Sequence, residues 1–221
     1  MRLERCERVA RHLTERTGRQ VIAGLLSGLL TAAASTAAHQ EAPSLRRPSP
    51  PVAKGAYLPV IKLAPNFTLT SQTGHPIHLA GLRGKVVLLD FFYASCPDIC
   101  PLITGKMAAL QRRLNRQGVL GGKVVLLSAS LDPVKDTVEA LTHYAKGVRA
   151  LPGGWFFLRG DESEVNRLLR EYDVWVRTAP NGSFDHSIRI YLIDQYGHIR
   201  EIYSDNFFSV GQVLLDIQSL L

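Results

Sequence analysis

A nearly continuous apolar run, Lys85 to Tyr93 (KVVLLDFFY), constrains the fold more than any other stretch of this chain of 221 residues. Residues of high β propensity dominate the run, and polar side chains do not alternate with apolar ones. A strand of this kind is buried on both faces, as the central strands of α/β sheets are. The run therefore predicts a central strand that other layers cover on each side.

Periodic apolar residues predict that helices and strands alternate along the C-terminal part of the chain. Apolar side chains recur at helical spacing from Ile103 to Leu114, and Asp161 with Glu164 has the spacing of a capping box. The expected elements are a hairpin across Thr73-Gly74, the strand over 85–93, a helix that Gly121-Gly122 ends, a strand over 123–131, a helix over 136–146, a strand over 155–158, a helix from 161, an interruption at Pro180-Asn181-Gly182, a hairpin of 188–193 with 198–203 across Tyr196-Gly197, and a helix over 210–221. Mixed βαβ units followed by a hairpin and a helix are typical of a thioredoxin-like three-layer α/β fold with a central mixed sheet.

The N-terminal part has a different composition and divides into three segments. Residues 1–20 carry six Arg against three Glu, which predicts a basic cytoplasmic segment. Residues 21–38 contain no charged side chain and form either the core of a signal peptide or a transmembrane anchor. Residues 39–59 contain five Pro and few large apolar side chains, as an extended tether does. The folded domain is expected over residues 60–221.

Both interpretations of residues 21–38 place the C-terminal domain outside the cytosol, on the periplasmic side of a bacterial inner membrane, either anchored or exported. A mitochondrial inner-membrane location fits less well, because acidic residues interrupt the basic segment and mitochondrial presequences avoid them. The net charge of +7 comes largely from the N-terminal part, since residues 57–221 carry seventeen basic and fifteen acidic side chains. A nearly neutral domain does not predict a surface for nucleic acid.

Two of the three cysteines lie four residues apart, directly after the apolar run. The predicted strand ends there and a helix begins, which is where open α/β sheets bind ligands. We expect Cys96 and Cys100 to lie on the same side of the first helical turn, close enough to form a disulfide or to hold one metal ion. The helix N-terminus favours the thiolate form, and thiolates favour copper(I) or zinc. Cys6 precedes the apolar segment and is interpreted as an unpaired thiol without a function.

A metal ion held by two thiolates is expected to have a third ligand, for which the chain offers seven histidines. His186 follows a loop that contains Gly182 and comes shortly before a predicted strand, at a junction that faces the dithiol in a thioredoxin-like layout. Position alone leaves its role open. The remaining histidines lie in the N-terminal part, on predicted hairpins or on a helix, where an imidazole is usually solvated: His12, His39, His75, His78, His143 and His198.

The motif CPDICP at residues 96–101, followed downstream by Asp185-His186-Ser187, resembles the SCO/SenC family. Members of this family are copper-handling, thioredoxin-like proteins that assist the assembly of cytochrome c oxidase. The resemblance covers about residues 60–221 and includes four further segments: Ala64–Phe67, Gly84–Leu89, Leu131–Pro133 and Asp136–Thr137. Many members carry Thr and a basic or imidazole residue before the first cysteine, where this chain has Ala94 and Ser95.

This resemblance implies a metallochaperone that delivers copper to the binuclear copper centre of cytochrome c oxidase during assembly. It implies that Cys96, Cys100 and His186 bind one copper ion per chain, with Asp98 beside these ligands or at a surface where a partner docks. The implied partners are the copper-receiving subunit of the oxidase, a copper donor protein, a thiol reductant and, through the N-terminal segment, the membrane.

Other functions of the dithiol account for the sequence less completely. A membrane-tethered thiol-disulfide oxidoreductase would use Cys96 and Cys100 as a redox-active pair that forms a disulfide, but the CxxC spacing and the preceding Trp of thioredoxins are absent. A peroxiredoxin-like peroxidase requires Thr or Ser three positions before the attacking cysteine, where this chain has Tyr93. A purely structural disulfide leaves the position at a strand-to-helix junction unexplained.

Overall fold

The computed structural model describes residues 57–180 and 183–221. The strands of this part are β1 (Lys62–Leu63), β2 (Thr68–Ser71), β3 (Pro76–His78), β4 (Val86–Phe92), β5 (Val124–Ser130), β6 (Trp155–Arg159), β7 (Val176–Thr178), β8 (Phe184–His186), β9 (Ile190–Ile193) and β10 (His198–Tyr203). The helices are α1 (Ile99–Arg116), α2 (Val138–Gly147), α3 (Glu162–Glu171) and α4 (Val210–Ser219), with a short 3-10 helix at Leu79–Leu82.

Eight of the described strands form one mixed sheet in the order β1-β10-β9-β4-β5-β6-β2-β3. The strands β4, β5 and β6 are parallel, whereas β9 runs antiparallel to β4. Helix α1 packs against β5 and α4, and α2 packs against β6. A central mixed sheet with flanking helices confirms the thioredoxin-like α/β fold expected from the sequence.

Strand β4 is central and buried, as the run of apolar residues predicts. All of its residues are buried, and so are all residues of β5. The two strands pair in parallel from Val86 opposite Val124 to Phe92 opposite Ser130. Because parallel strands end at the same edge of a sheet, the segments that follow β4 and β5 lie next to each other. This shared edge carries the dithiol.

Helix α1 confirms the predicted apolar face and corrects its predicted end. Its inward side chains include Ile103, Met107, Leu110 and Leu114, all buried. The helix ends at Arg116, five residues before the glycine pair that was expected to end it. Gly118 has a φ of 69°, a left-handed conformation that glycine adopts without strain, and it redirects the chain directly after the last turn.

The other helix starts and turns are close to the predicted positions. Asp161 and Glu164 form the expected capping box, with Glu164 N donating to Asp161 Oδ1 at 2.8 Å and Asp161 N donating to Glu164 Oε2 at 2.9 Å. Helix α2 starts later than expected, because Thr137 is its N-cap and accepts the Ala140 amide at 3.2 Å. The side chain of Asp136 is consequently available for another contact.

The structure contains one hairpin that sequence periodicity did not predict. Strands β7 and β8 pair with each other in a two-stranded sheet of their own, with Val176 opposite His186 and Thr178 opposite Phe184. The sequence had indicated only an interruption in this region. Each strand has three residues and only one side chain, that of His186, is buried, so the pattern was too short to detect.

Within residues 57–180 and 183–221, no helix is both long and apolar enough to cross a bilayer. The predictions for the basic segment, the apolar segment 21–38 and the tether up to residue 56 lie outside the described residues. The first described residues contact the domain, since the Arg200 guanidinium donates to the carbonyl oxygens of Leu58 and Pro59.

Candidate metal centre

Both cysteines lie where α1 begins, but only Cys100 belongs to the helix. Asp98 has φ −122° and ψ −90°, so the helix starts at Ile99 and Cys96 lies in the preceding turn. The expectation that both sulfurs share the first helical turn was therefore wrong. The Cys96 amide instead donates to the carbonyl oxygen of Tyr93 at 3.2 Å, and this turn brings the two sulfurs within hydrogen-bonding distance of each other.

The two thiols have different environments. Cys96 is partly exposed and Cys100 is buried, and neither is in a disulfide. Burial opposes ionisation of Cys96, but hydrogen bonds from the Cys100 thiol, the amides of Asp98 and Cys100, and the Tyr93 hydroxyl outweigh it and lower the pKa of Cys96. Burial, together with the hydrogen bond that Cys100 donates to Cys96, raises the pKa of Cys100. Cys96 therefore ionises more easily than Cys100.

A buried carboxyl group, Asp90, lies in β4 and contributes to this difference. Burial raises the pKa of Asp90 to about 7, although the Ser128 hydroxyl donates to its Oδ1 at 2.5 Å. Trp155 Nε1 donates in turn to the Ser128 hydroxyl at 3.0 Å. The Asp90 carboxylate also raises the pKa of Cys100 by charge repulsion. The sequence analysis missed Asp90, although a single acidic residue within an apolar strand was a visible signal.

A second buried carboxylate, Asp136, fixes the turn that carries Cys96. Its Oδ2 accepts the Ala94 amide at 3.1 Å and also accepts the Ser130 hydroxyl. Burial raises the pKa of Asp136, while these hydrogen bonds oppose the increase. Asp136 therefore connects the segment after β5 to the residues that lead into the dithiol.

Asp132 is buried close to Asp136, and it does not cap α2, whose N-cap is Thr137. Its Oδ1 accepts the Lys135 amide at 3.1 Å, within the turn that precedes the helix. Its Oδ2 has no hydrogen-bond partner among the described residues and lies 3.8 Å from the Lys135 Nζ.

His186 lies at the end of β8 with a buried side chain, 8% exposed. Burial lowers the pKa of His186, so the imidazole is neutral at physiological pH. Its Nδ1 lies 3.2 Å from the carbonyl oxygen of Ser187, which can only accept, so the ring proton is assigned to Nδ1. The Nε2 atom then has a free lone pair, and it has no hydrogen-bond partner in the described part of the chain. A buried nitrogen of this kind can bind a metal ion.

Tyr93 lies between the hairpin of His186 and the dithiol. Its ring centroid is 6.2 Å from that of His186, and its hydroxyl hydrogen-bonds to Cys96. His186 thus lies at the same edge of the sheet as the cysteines. The described residues nevertheless contain no group of three or more His, Cys, Asp or Glu side chains already arranged to hold a metal ion.

Asp98 lies at the N-cap position of α1 and is exposed, and its side chain makes no capping hydrogen bond. Its backbone amide, rather than its carboxylate, contacts Cys96. Four other histidines are described and lie elsewhere: His75, His78 and His143 are exposed, and His198 lies 3.6 Å from Asp194. His12 and His39 precede the described residues.

Comparison with known proteins gives consistent matches over the described domain. The family model for SCO1/SenC matches residues 57–221. An SCO2-like protein of Rickettsia conorii is 30% identical over 172 residues, which cover 74% of this chain and 81% of the relative.

Two solved structures give the same fold. The copper-bound structure of Arabidopsis thaliana ScoI is 27% identical with a TM-score of 0.62, covering 71% of this chain and 97% of that one. A structure of BsSco, described as a member of the Sco family of cytochrome c oxidase assembly proteins with a disulfide switch, is 25% identical with a TM-score of 0.63 and covers 73% and 95% of the two chains.

Proposed function

The chain belongs to the SCO1/SenC family, and on that basis we propose that it is a metallochaperone that binds one copper ion and delivers it to the binuclear copper centre of cytochrome c oxidase during assembly. The copper ion is the cargo of the protein. Its ligands are the sulfurs of Cys96 and Cys100 and the Nε2 atom of His186.

One observation carries this proposal: a buried imidazole nitrogen without a hydrogen-bond partner lies at the same sheet edge as two free cysteines. An orphaned buried polar atom is costly unless a ligand satisfies it in another state. Two sulfurs and one imidazole nitrogen form a soft donor set that suits copper(I) and does not suit Mg²⁺ or Ca²⁺. A relative of this chain, ScoI of Arabidopsis thaliana, has a structure with copper bound.

Metal binding requires the side chains of Cys96, Cys100 and His186 to rearrange around one point, because they do not yet form such a group. The hairpin strands pair with each other in a sheet of their own, so adjustment at this edge does not break hydrogen bonds of the large sheet. A site with three ligands is also suited to transfer, since a thiolate of the recipient can bind the ion before the outgoing bond breaks.

The recipient is inferred from the family, because BsSco is described as a cytochrome c oxidase assembly protein. We propose that a second protein donates copper to this chain and that a reductant keeps the two cysteines as thiols, since a disulfide cannot bind the ion. Asp98, exposed next to Cys96, is available to contact such partners. The domain then functions outside the cytosol, anchored to or exported across the membrane by residues 21–38.

The environments of the two thiols favour a second candidate function, thiol-disulfide exchange. The lowered pKa makes Cys96 the attacking thiolate, and buried Cys100 is the resolving thiol. Cys96 attacks a disulfide of a partner and forms a mixed disulfide, and one partner sulfur leaves as a thiolate. Cys100 then loses its proton and displaces the second partner sulfur. The products are a Cys96–Cys100 disulfide and a reduced partner.

Anaerobic copper(I) titration of the reduced full chain against a competing chelator tests the proposal. We expect one tightly bound ion per chain, and a large loss of affinity in Cys96→Ser, Cys100→Ser and His186→Ala. His143→Ala is the matched control, because that imidazole is exposed on α2 and its loss should not change the affinity. Equal affinity of wild type and the cysteine variants would refute the proposal. Retained disulfide reduction without copper binding would favour the second candidate.

A further inference from the structure

We propose that Tyr93 is a positioning residue that holds the β7–β8 hairpin, and with it His186, next to the dithiol. This inference rests on the proposed function, because it concerns how the third copper ligand reaches the two sulfurs. Tyr93 itself is not proposed as a ligand.

The Tyr93 hydroxyl holds the hairpin through the backbone of Phe184. It donates to the Phe184 carbonyl oxygen at 3.1 Å, and the Phe184 amide donates to the same hydroxyl at 3.3 Å. The ring of Tyr93 packs edge-to-face on that of Phe184, with centroids 5.3 Å apart. Both backbone groups of one hairpin residue are therefore fixed by one side chain from the central strand region, two residues before His186.

The same hydroxyl hydrogen-bonds to Cys96, so it touches both sides of the proposed site. A phenol has one proton, and here that proton has two acceptors, the Phe184 carbonyl oxygen and the Cys96 sulfur.

The ring and the hydroxyl of Tyr93 make separable contributions. Tyr93 is buried, and its aromatic ring contacts Phe184 and His186. Phenylalanine at this position keeps these ring contacts and removes only the hydrogen bonds to Phe184 and Cys96. The substitution Tyr93→Phe therefore tests the hydroxyl without leaving a cavity.

The experiment is a double-mutant cycle for copper(I) affinity with the full chain: wild type, Tyr93→Phe, His186→Ala and the double variant. We expect Tyr93→Phe to weaken binding roughly three- to tenfold, the range set by one hydrogen bond. In the His186→Ala background its effect should be clearly smaller, because only the lost hydrogen bond to Cys96 remains to weaken binding there. Tyr203→Phe is the matched control, because it loses a hydroxyl bond to Asp216 at 2.7 Å on a different part of the sheet. It should leave the affinity unchanged.

Hydrogen exchange of the metal-free chain provides a second readout that does not depend on copper. We expect faster exchange of the Phe184 amide in Tyr93→Phe, with the amides of β4 and β5 unchanged. Unchanged exchange at Phe184 overturns the inference whatever the affinities are.

Three results for the copper(I) affinity would also overturn the inference. Tyr93→Phe could weaken binding equally in the wild-type and His186→Ala backgrounds, or it could leave binding to the otherwise wild-type chain unchanged. It could also strengthen binding, which would mean that the hydroxyl keeps the imidazole away from the dithiol. If the wild-type chain binds no copper at all, the proposed function fails, and this result is recognised separately because the exchange measurement is made without metal.

Discussion

Replacement of Asp90 by Asn should stabilise the folded chain, and the gain should depend on pH. Asp90 lies in the central strand and is buried, and burial raises its pKa from 3.8 to about 7. Between these two pH values the unfolded chain releases a proton that the folded chain keeps, so stability falls as pH rises. An increase of about three pKa units corresponds to roughly 4 kcal/mol of lost stability once Asp90 is ionised.

Asn has nearly the same shape and can accept the Ser128 hydroxyl, but it carries no charge. Asp90→Asn should therefore be close to neutral at pH 4 and should stabilise the chain by up to about 4 kcal/mol at pH 8. Urea unfolding of the reduced, metal-free chains at several pH values measures the free energy of unfolding of the wild type and of the variant at each pH. The matched control is Asp173→Asn, an exposed carboxylate paired with Arg189 at 3.2 Å, which should change stability by less than about 1 kcal/mol. If wild type and Asp90→Asn show the same pH dependence between pH 4 and 8, the buried charge is not the cause.

Three further predictions concern the surroundings of the dithiol and the fold. Cys100→Ala removes a hydrogen-bond donor to Cys96 and should therefore raise the pKa of Cys96. The pH dependence of thiolate absorbance measures this pKa. An unchanged titration curve would contradict the assigned hydrogen bond. Asp136→Ala leaves the partly buried amide of Ala94 without its acceptor and should lower the free energy of unfolding by about 1 to 3 kcal/mol in urea unfolding. A neutral effect would mean that water replaces the carboxylate. Asp161→Ala removes the capping box of α3 and should lower the free energy of unfolding by about 1 kcal/mol in the same assay. An unchanged free energy of unfolding would show that the cap is dispensable.

The sequence predicted those parts of the fold in which burial is strong and periodic. Strands β4 and β5 are fully buried, so their apolar runs identified them, and the inward face of α1 followed from its helical spacing. The capping box at Asp161 was predictable because it depends on local chemistry alone.

The sequence could not predict features that depend on backbone conformation or on contacts between distant residues. The start of α1 is set by the non-helical conformation of Asp98, so Cys96 lies outside the helix despite its spacing. The carboxylate of Asp136 was assigned to a helix start, but it instead accepts an amide 42 residues earlier in the chain.

The placement of His186 near the dithiol was expected from the family pattern, whereas the intervening contact through Tyr93 was not. That contact joins residues 91 positions apart through backbone atoms of Phe184, and backbone atoms leave no signature in a sequence.

X-ray absorption at the copper edge of the anaerobically loaded full chain identifies the atoms bound to the ion. We expect a first shell of two sulfur atoms and one imidazole nitrogen in the wild type, and a shell without the imidazole in His186→Ala. A wild-type shell that lacks either the imidazole or one of the sulfurs would contradict the proposed ligand set.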